Sequence, residues 1–391
     1  HSDVLLHYGN HIAAYQVGRP DGFTGDGRAT RVKSSYLTTK KVKGPGGTWW
    51  VSARDEFYVG DFSGDGKDDL IVVYKNGSTQ RLGLLKSTDS GFECVRKYYD
   101  NLPSWRMTDG DRYYVADFNG DGKDDIYIFN AKNWNMGYVG MLRSTGNSLA
   151  YAKRYDRYLP GNYITDKDEL YIADINGDKK EEFILFKRDT RTTRIYKSTG
   201  TGLNMSAQYF ESLPGWTNKA KDKYMIADFN GDGKDDLVVF NGKNWNMEYM
   251  LLLRSDGNRL NYVKRYDDRL PNWNMSDNDK FYVADINGDR KDDLYVYNSS
   301  DWSTQWLGTL LSDGSGIEAD GKQSDWIGGW NLGSSDKLIV DDRPTGYRDN
   351  LYVHNTNWFG YMWPHDSNGM YLKAMYKDYI HAFKHHDYGW Y

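Results

Sequence analysis

Three observations predict an all-β fold, a single seven-bladed β-propeller with four-stranded blades spanning residues 1–391. A nine-residue acidic phrase, first seen as Asp61 to Asp69, recurs five times at spacings of 54 to 57 residues. Each copy lies between short apolar runs rich in β-branched and aromatic residues, the pattern of strands joined by a turn. Two further apolar runs follow before the next copy, and four strands per repeat of this length make one propeller blade.

The strands follow in a fixed order. Strand a precedes the acidic phrase, as in Tyr113-Tyr-Val-Ala116 and Leu170-Tyr-Ile-Ala173, and strand b follows it, as in Ile126-Tyr-Ile-Phe129 and Leu237-Val-Val-Phe240. Strand c is Tyr138-Val-Gly-Met-Leu142 or Met250-Leu-Leu-Leu253, closed by a Ser-Thr-Gly or Ser-Asp-Gly turn, and strand d is Tyr151-Ala-Lys-Arg-Tyr155. Copies of strand b begin near Asp3, Asp69, Asp125, Glu182, Asp236, Asp293 and Asn350, which counts seven blades. Because the chain starts at strand b, the missing first strand a is expected from His385 to Tyr391, so that pairing of the N- and C-terminal strands closes the ring and removes its open edge. A sixth loop, read as Asp341 to Asp349, is degenerate, with Arg343 and Thr345 at oxygen positions; Gly22 to Arg28 mimics the phrase without its acids and reads as a hairpin.

The phrase itself reads as a calcium loop. A hard cation such as calcium takes six to eight oxygens at about 2.3 to 2.6 Å, and side chains at positions 1, 3, 5 and 9 with the carbonyl of position 7 can wrap one. The first copy offers Asp61, Ser63, Asp65, the Lys67 carbonyl and Asp69; the second offers Asp117, Asn119, Asp121, the Lys123 carbonyl and Asp125. The third has Asp174, Asn176, Asp178, Lys180 and Glu182, the fourth Asp228, Asn230, Asp232, Lys234 and Asp236, and the fifth Asp285, Asn287, Asp289, Lys291 and Asp293. Three carboxylates per loop suit calcium better than magnesium, which prefers strict octahedral geometry and retained water. Position 6 is glycine in three copies but Lys179 and Arg290 in the third and fifth; a tight loop needs a positive φ hereabouts, so these two sites are expected to be weaker.

These residues resemble the FG-GAP or VCBS repeat family, which includes the propeller of integrin α subunits and calcium-containing fungal lectins. The resemblance covers essentially the whole chain. It implies about five structural calcium ions in a propeller that is usually extracellular, in roles ranging from adhesion to sugar binding to accessory parts of enzymes. Fold alone does not choose among these.

Composition agrees with a ring of repeats: 39% hydrophobic residues, 41 Gly and 8 Pro suit a turn-rich β protein. No run is long enough to span a membrane. The net charge of −5 is largely that of the loop carboxylates, so nothing points to nucleic acid. A single cysteine, Cys94, excludes an intrachain disulfide and reads as a small buried hydrophobe. Several modest calcium sites make sense where calcium is millimolar, and a first residue His1 fits a processed protein, so a secreted monomer is expected.

With the blades in register, the a–b loops and c–d turns share one face, committed to metal and tight turns. Binding is expected on the other, where b–c turns and d–a connections gather. There the b–c turns carry Trp134, Trp245, Trp302 and Trp358 beside Asn or Asp, and Leu-Pro-X-Trp connections carry Trp105, followed by Arg106. Trp beside amides and carboxylates suits sugar, with an apolar face for the ring and polar groups for hydroxyls. Packing between blades is the competing role for any tryptophan that repeats.

All eight histidines lie before residue 12 or after residue 353, segments that ring closure would make neighbours. His7 and His354 fall at the strand b position held elsewhere by Val73, Phe129, Phe186, Phe240 or Tyr297, and His11 and His381 fall toward the same face. Such a cluster could supply a general base, form a transition-metal site or merely pack. Arg188, with Arg191 and Arg194 about the fourth b–c turn, adds groups that pair with carboxylates. Two functions follow. One is a lyase that cleaves uronic-acid-containing polysaccharide by β-elimination, using His7, His11, His354 and His381 as candidate catalytic groups and the Trp and Arg residues as substrate contacts. The alternative is a non-enzymatic lectin or adhesion module that binds glycans, including acidic ones.

Overall fold

The structure, a computed structural model, describes residues 40–320 with side chains, apart from 78, 90, 131–136, 220, 242–247, 268, 271–272, 277 and 299–305. For 2–8, 11–17, 35–39 and parts of 321–377 it describes backbone pairing, with side chains at Leu338, Val340, Asp349 and Leu351.

The described residues form no helix. They fall into one three-stranded and six four-stranded antiparallel sheets, each with its strands in sequence order. Sheet 1 is Ser2–Tyr8, His11–Val17 and Ser35–Thr39; the expected fourth strand, from 385–391, lies outside the described residues. Sheet 3 is typical, with Arg112–Ala116, Asp125–Asn130, Tyr138–Ser144 and Leu149–Asp156 as strands a to d. Sheet 2 begins at Asp55, sheet 4 at Asp168, sheet 5 at Lys223, sheet 6 at Lys280 and sheet 7 at Lys337.

The repeated sheets stack face against face, so the core is divided among their junctions. One apolar cluster joins Ile71, Val73 and Leu84 of sheet 2 to Ile126, Ile128 and Leu142 of sheet 3. Equivalent clusters join sheets 3 and 4, 4 and 5, 5 and 6, and 6 and 7. Strand b is therefore covered on both faces: every residue from Asp125 to Asn130 is buried, whereas strand d alternates with solvent. This explains why the b strands read as continuous apolar runs.

One element was not foreseen. Each d–a connection among the described residues folds into a small two-stranded hairpin, such as Asn101–Leu102 with Trp105–Arg106 or Ser212–Leu213 with Trp216–Thr217. The first, Lys41–Gly44 with Gly47–Trp50, lies along strand d of the sheet that follows. The Leu-Pro-X-Trp repetition was the available signal, because a turn between two matching residues is what a hairpin needs.

The sixth loop needs a correction of one residue. Asp341 pairs with Asn350, as Ala116 pairs with Asp125 and Ala284 with Asp293, so Asp341 closes strand a and the loop runs from 342 to 350. Position 8 is then Asp349 and position 9 is Asn350. Acidity at both ends of the stretch had disguised the register.

Candidate functional site: acidic loops and aromatic niches

Each acidic loop is wound about its first carboxylate. Asp61 accepts hydrogen bonds from the backbone N–H of Gly64 (2.7 Å), Asp65 (3.1 Å) and Gly66 (2.7 Å), and Asp117, Asp174, Asp228 and Asp285 do the same in their own loops. This winding puts positions 4 and 6 at positive φ. Gly66, Gly122 and Gly233 take 80°, 77° and 78°, and Lys179 and Arg290 are held at 63° and 70°. The expected strain at the two non-glycine copies is thus present.

Position 9 is the buried end of the loop. Asp69, Asp125, Glu182, Asp236 and Asp293 are each at most 1% exposed, and each accepts the N–H of a serine ending strand c, as Asp125 does from Ser144 at 2.6 Å. Asn119, Asn176 and Asn230 donate their amide N–H to the same carboxylates at 2.7 to 2.9 Å. Burial first, and then the neighbouring loop acids, push Asp125, Glu182 and Asp293 up to about 8 and Asp236 up to about 6, while Glu182 Oε2 has no hydrogen-bond partner. Position 5 is drawn toward lysine instead: Asp121 to Lys123 at 3.2 Å, Asp178 to Lys180 at 3.0 Å, Asp232 to Lys234 at 2.9 Å, Asp289 to Lys291 at 2.6 Å, and Asp65 to Lys86 at 3.2 Å.

Among the described residues, no three acid, histidine or cysteine side chains converge as a preformed metal cluster. The donor set nonetheless fits a hard cation. It holds three acids, of which burial and the neighbouring acids disfavour ionisation of the one at position 9, a condition that a dication at the loop centre reverses. The residues that would hold it are those at positions 1, 3, 5 and 9 and the carbonyl of position 7, with position 5 released from its lysine.

Position 8, given no role from sequence, staples adjacent loops. Asp124 Oδ2 accepts the N–H of Asp61 at 2.6 Å and its own N–H returns to the Asp61 carbonyl at 2.9 Å. Glu181 does this to Asp117, Asp235 to Asp174, Asp292 to Asp228 and Asp349 to Asp285, with carboxylate contacts of 2.6 to 2.9 Å. Two other ties repeat with it. Ser144 Oγ donates to the Phe62 carbonyl of the preceding loop at 2.6 Å, and Tyr98 O–H accepts the N–H of Leu149 at 2.7 Å.

The opposite face is built by the hairpins. Trp105 is only 6% exposed: its ring lies over Gly140 of strand c, where an added Cβ would stand 2.7 Å from the indole, and its Nε1–H donates to Asp111 at 2.9 Å. Trp49, Trp216 and Trp273 donate likewise to Asp55, Asp222 and Asp279. The expectation that Trp105 offers a flat face to sugar is therefore corrected. A tryptophan in this hairpin fills the groove beside strand c because that groove has no side chain of its own.

What remains open is the rim of the buried indole. Arg154 stands over the Trp105 and Tyr138 rings, at 5.5 and 4.8 Å from their centres, and the two rings meet edge to face at 6.4 Å. Arg106, Asn130 and these three residues line a shallow niche. Asp156, with its side chain 62% exposed, accepts from Arg154 Nε at 2.6 Å. Two sheets on, Arg265 stands over Trp216 at 5.8 Å and Tyr249 at 4.7 Å, with ring centres 6.2 Å apart and Asp267 accepting from Arg265 at 2.8 Å. The hairpins also present Trp50, 65% exposed under Lys41, and the Tyr158–Tyr163 pair beneath Arg157.

The other sequence candidates are placed as follows. Arg106 is exposed, whereas Arg188 is taken up by Glu169, with contacts of 2.9 and 2.5 Å. His354 pairs with Lys337 as Phe129 pairs with Arg112 and Tyr297 with Lys280, so its backbone occupies the expected strand b position. His7 and His11 sit at the end of the first hairpin, paired with Ile12 and Tyr8. Side chains of His7, His11, His354 and Trp358 are not among those described, and His381, Trp134, Trp245 and Trp302 lie outside the described residues.

Two segments, 174–239 and 228–296, match the FG-GAP-like repeat, each running from one acidic loop into the next sheet. The chain carries FG-GAP-like repeats. No curated protein sequence matches it. Among solved structures, the repeat array is similar to an Agrocybe aegerita lectin described as recognising non-reducing terminal N-acetylglucosamine, at 14% identity over 96% of this chain and 89% of that one, with a TM-score of 0.63. It is also similar to a hypothetical selenium-binding protein of Sulfolobus tokodaii (11% identity, 96% and 90% covered, TM-score 0.57) and a Pseudomonas aeruginosa periplasmic gluconolactonase (12%, 94% and 94%, 0.52). At these identities the likeness establishes a propeller-type fold. Among the described residues, no helix is long and apolar enough to cross a membrane.

Proposed function

We propose that this FG-GAP-like repeat protein is a secreted, calcium-stabilised, seven-bladed propeller that binds glycans at sites repeated around the face opposite its acidic loops. The observation that carries the reading is the recurrence of one arrangement, Trp105, Tyr138, Arg154 and Asp156 in sheet 3 and Trp216, Tyr249, Arg265 and Asp267 in sheet 5. A guanidinium donor braced over buried rings, beside a solvent-open carboxylate acceptor, is a set that recognises vicinal hydroxyls. Repetition favours several equivalent binding sites over one asymmetric catalytic centre. The fold likeness to an N-acetylglucosamine-recognising lectin supports the same class of ligand. Calcium would act by holding loop carboxylates that burial otherwise pushes toward neutrality, which rigidifies the first face without taking part in binding.

The lyase alternative rests on the histidines of the closing segments, and no described contact favours it. Screening against arrays of neutral and acidic glycans should show millimolar to micromolar binding, and Arg154→Ala with Arg265→Ala should weaken it at least about tenfold, as expected when charge-assisted hydrogen bonds are lost. The reading fails if no glycan binds, or if an acidic polysaccharide incubated with the protein yields an unsaturated uronate.

A further inference from the structure

Sheet 4 breaks the pattern at every position that forms the niche in sheet 3. The hairpin register puts Asn162 where sheet 3 has Trp105, and the strand register puts Lys187 for Asn130, Thr192 for Tyr138, Arg194 for Gly140 and Gln208 for Arg154. Two large aromatic side chains are thus replaced by small polar ones, and the space beside strand c receives a guanidinium where sheets 2, 3 and 6 have glycine.

The charges around these positions do not cancel. Lys187 is matched by Asp168 at 3.0 Å and also donates to the Tyr163 carbonyl at 2.8 Å, Arg188 is matched by Glu169, and Arg191 by Glu211. Among the described residues, Arg194 pairs with no carboxylate. Its Nε donates to the neutral Gln208 amide at 2.7 Å, and its Nη1 has no hydrogen-bond partner although the residue is only 8% exposed. Asn162, 7% exposed, has a second partnerless donor, Nδ2. In sheet 3 the residues at these two positions, Trp105 and Gly140, lie in direct contact. A guanidinium stays charged even when buried, so the register sets two orphan donors and one uncompensated positive charge at the two positions that touch in sheet 3.

We propose that Arg194 and Asn162 form an oxyanion site in sheet 4 that takes the carboxylate of an acidic sugar. The carboxylate supplies the two acceptor oxygens and the negative charge that the pocket lacks, in the planar geometry that a guanidinium matches. The sugar part rests on the glycan-binding reading, whereas the oxyanion part stands on the unmatched donors alone. The site would make one of the repeated positions selective for uronates while sheets 3 and 5 remain indifferent to charge.

Calorimetric titration of the full chain with glucuronate, glucose and inorganic phosphate tests this. Glucuronate should bind saturably and glucose should not compete with it at this site, while phosphate should compete. Arg194→Gln should weaken glucuronate at least about tenfold, the loss expected for a charged bidentate contact. The double variant Asn162→Trp with Arg194→Gly restores the pair found in sheets 2, 3 and 6, so it should fold and lose glucuronate binding entirely. Unchanged glucuronate affinity in either variant, or no glucuronate binding by the wild type, overturns the proposal; phosphate binding without glucuronate binding overturns the sugar assignment. Loss of neutral-glycan binding in Arg154→Ala with Arg265→Ala, measured in parallel, reports on the general reading separately.

Discussion

Replacing Asp349 with alanine tests the staple between sheets 6 and 7. Asp349 is 3% exposed and its carboxylate accepts the N–H of Asp285, itself 8% exposed, at 2.7 Å. Alanine leaves that N–H buried without its carboxylate acceptor, which costs about 1–3 kcal/mol, and the lost bond is to a charged group, at the upper end of that range. The reciprocal bond from Asp349 N–H to the Asp285 carbonyl, 2.8 Å, is backbone and survives. Relief of a buried carboxylate trims the loss, so about 2 kcal/mol is expected for alanine and under about 1 kcal/mol for asparagine, which keeps an acceptor. The sixth loop has Pro344 at position 3 and Asn350 at position 9, but Asp285 opens the fifth loop, so the staple itself is read from the loss in chelator. Denaturant unfolding of wild type, Asp349→Ala and Asp349→Asn in calcium and in chelator measures it. An alanine variant within about 0.5 kcal/mol of wild type, or one destabilised in calcium alone, would refute the staple.

Lys179→Gly and Arg290→Gly should each stabilise the fold by up to about 1 kcal/mol, since relief of the left-handed backbone exceeds the entropy glycine adds to the unfolded chain; a lower melting temperature for both would show that the two loops are not strained. Chelation should lower the melting temperature and added calcium restore it, through ligand linkage, with an identical melt in both conditions counting against calcium. Burial raises the Asp222 carboxyl above its usual range, against the pull of the Lys219 N–H, Trp216 and Asn241. The folded state therefore takes up this proton before the unfolded state as pH falls, so the group's contribution makes the protein less stable as pH rises from about 4 toward neutrality. Asp222→Asn should flatten that part of the stability profile, and an unaltered slope would rule out Asp222 as its source.

Much of the architecture was legible because the repeat is local. The acidic phrase, its flanking strands, the c–d turn and the positive φ at Lys179 and Arg290 all depend on residues within one repeat, where spacing along the chain is spacing in the structure. The strand b register that aligns His354 with Phe129 was readable for the same reason. The Trp residues show the limit. Asn and Asp beside Trp looked like sugar-binding chemistry, yet Trp105 is consumed by Gly140 and Asp111, and the half-buried group above it is Arg154 from a strand about 50 residues onward.

What the sequence determined by itself was the repeating β architecture, the oxygen-rich loops and the two chemically different faces, since each follows from short-range pattern and backbone periodicity. Only the tertiary structure decided that position 8 is a staple, that the sixth loop begins at residue 342, and that Asn162 and Arg194 take the register positions at which sheets 2, 3 and 6 set Trp against Gly. Those facts arise from packing one sheet on the next, which joins residues about 60 positions apart, or from side chains that compensate one another across strands. Neither leaves a periodic trace in a single chain.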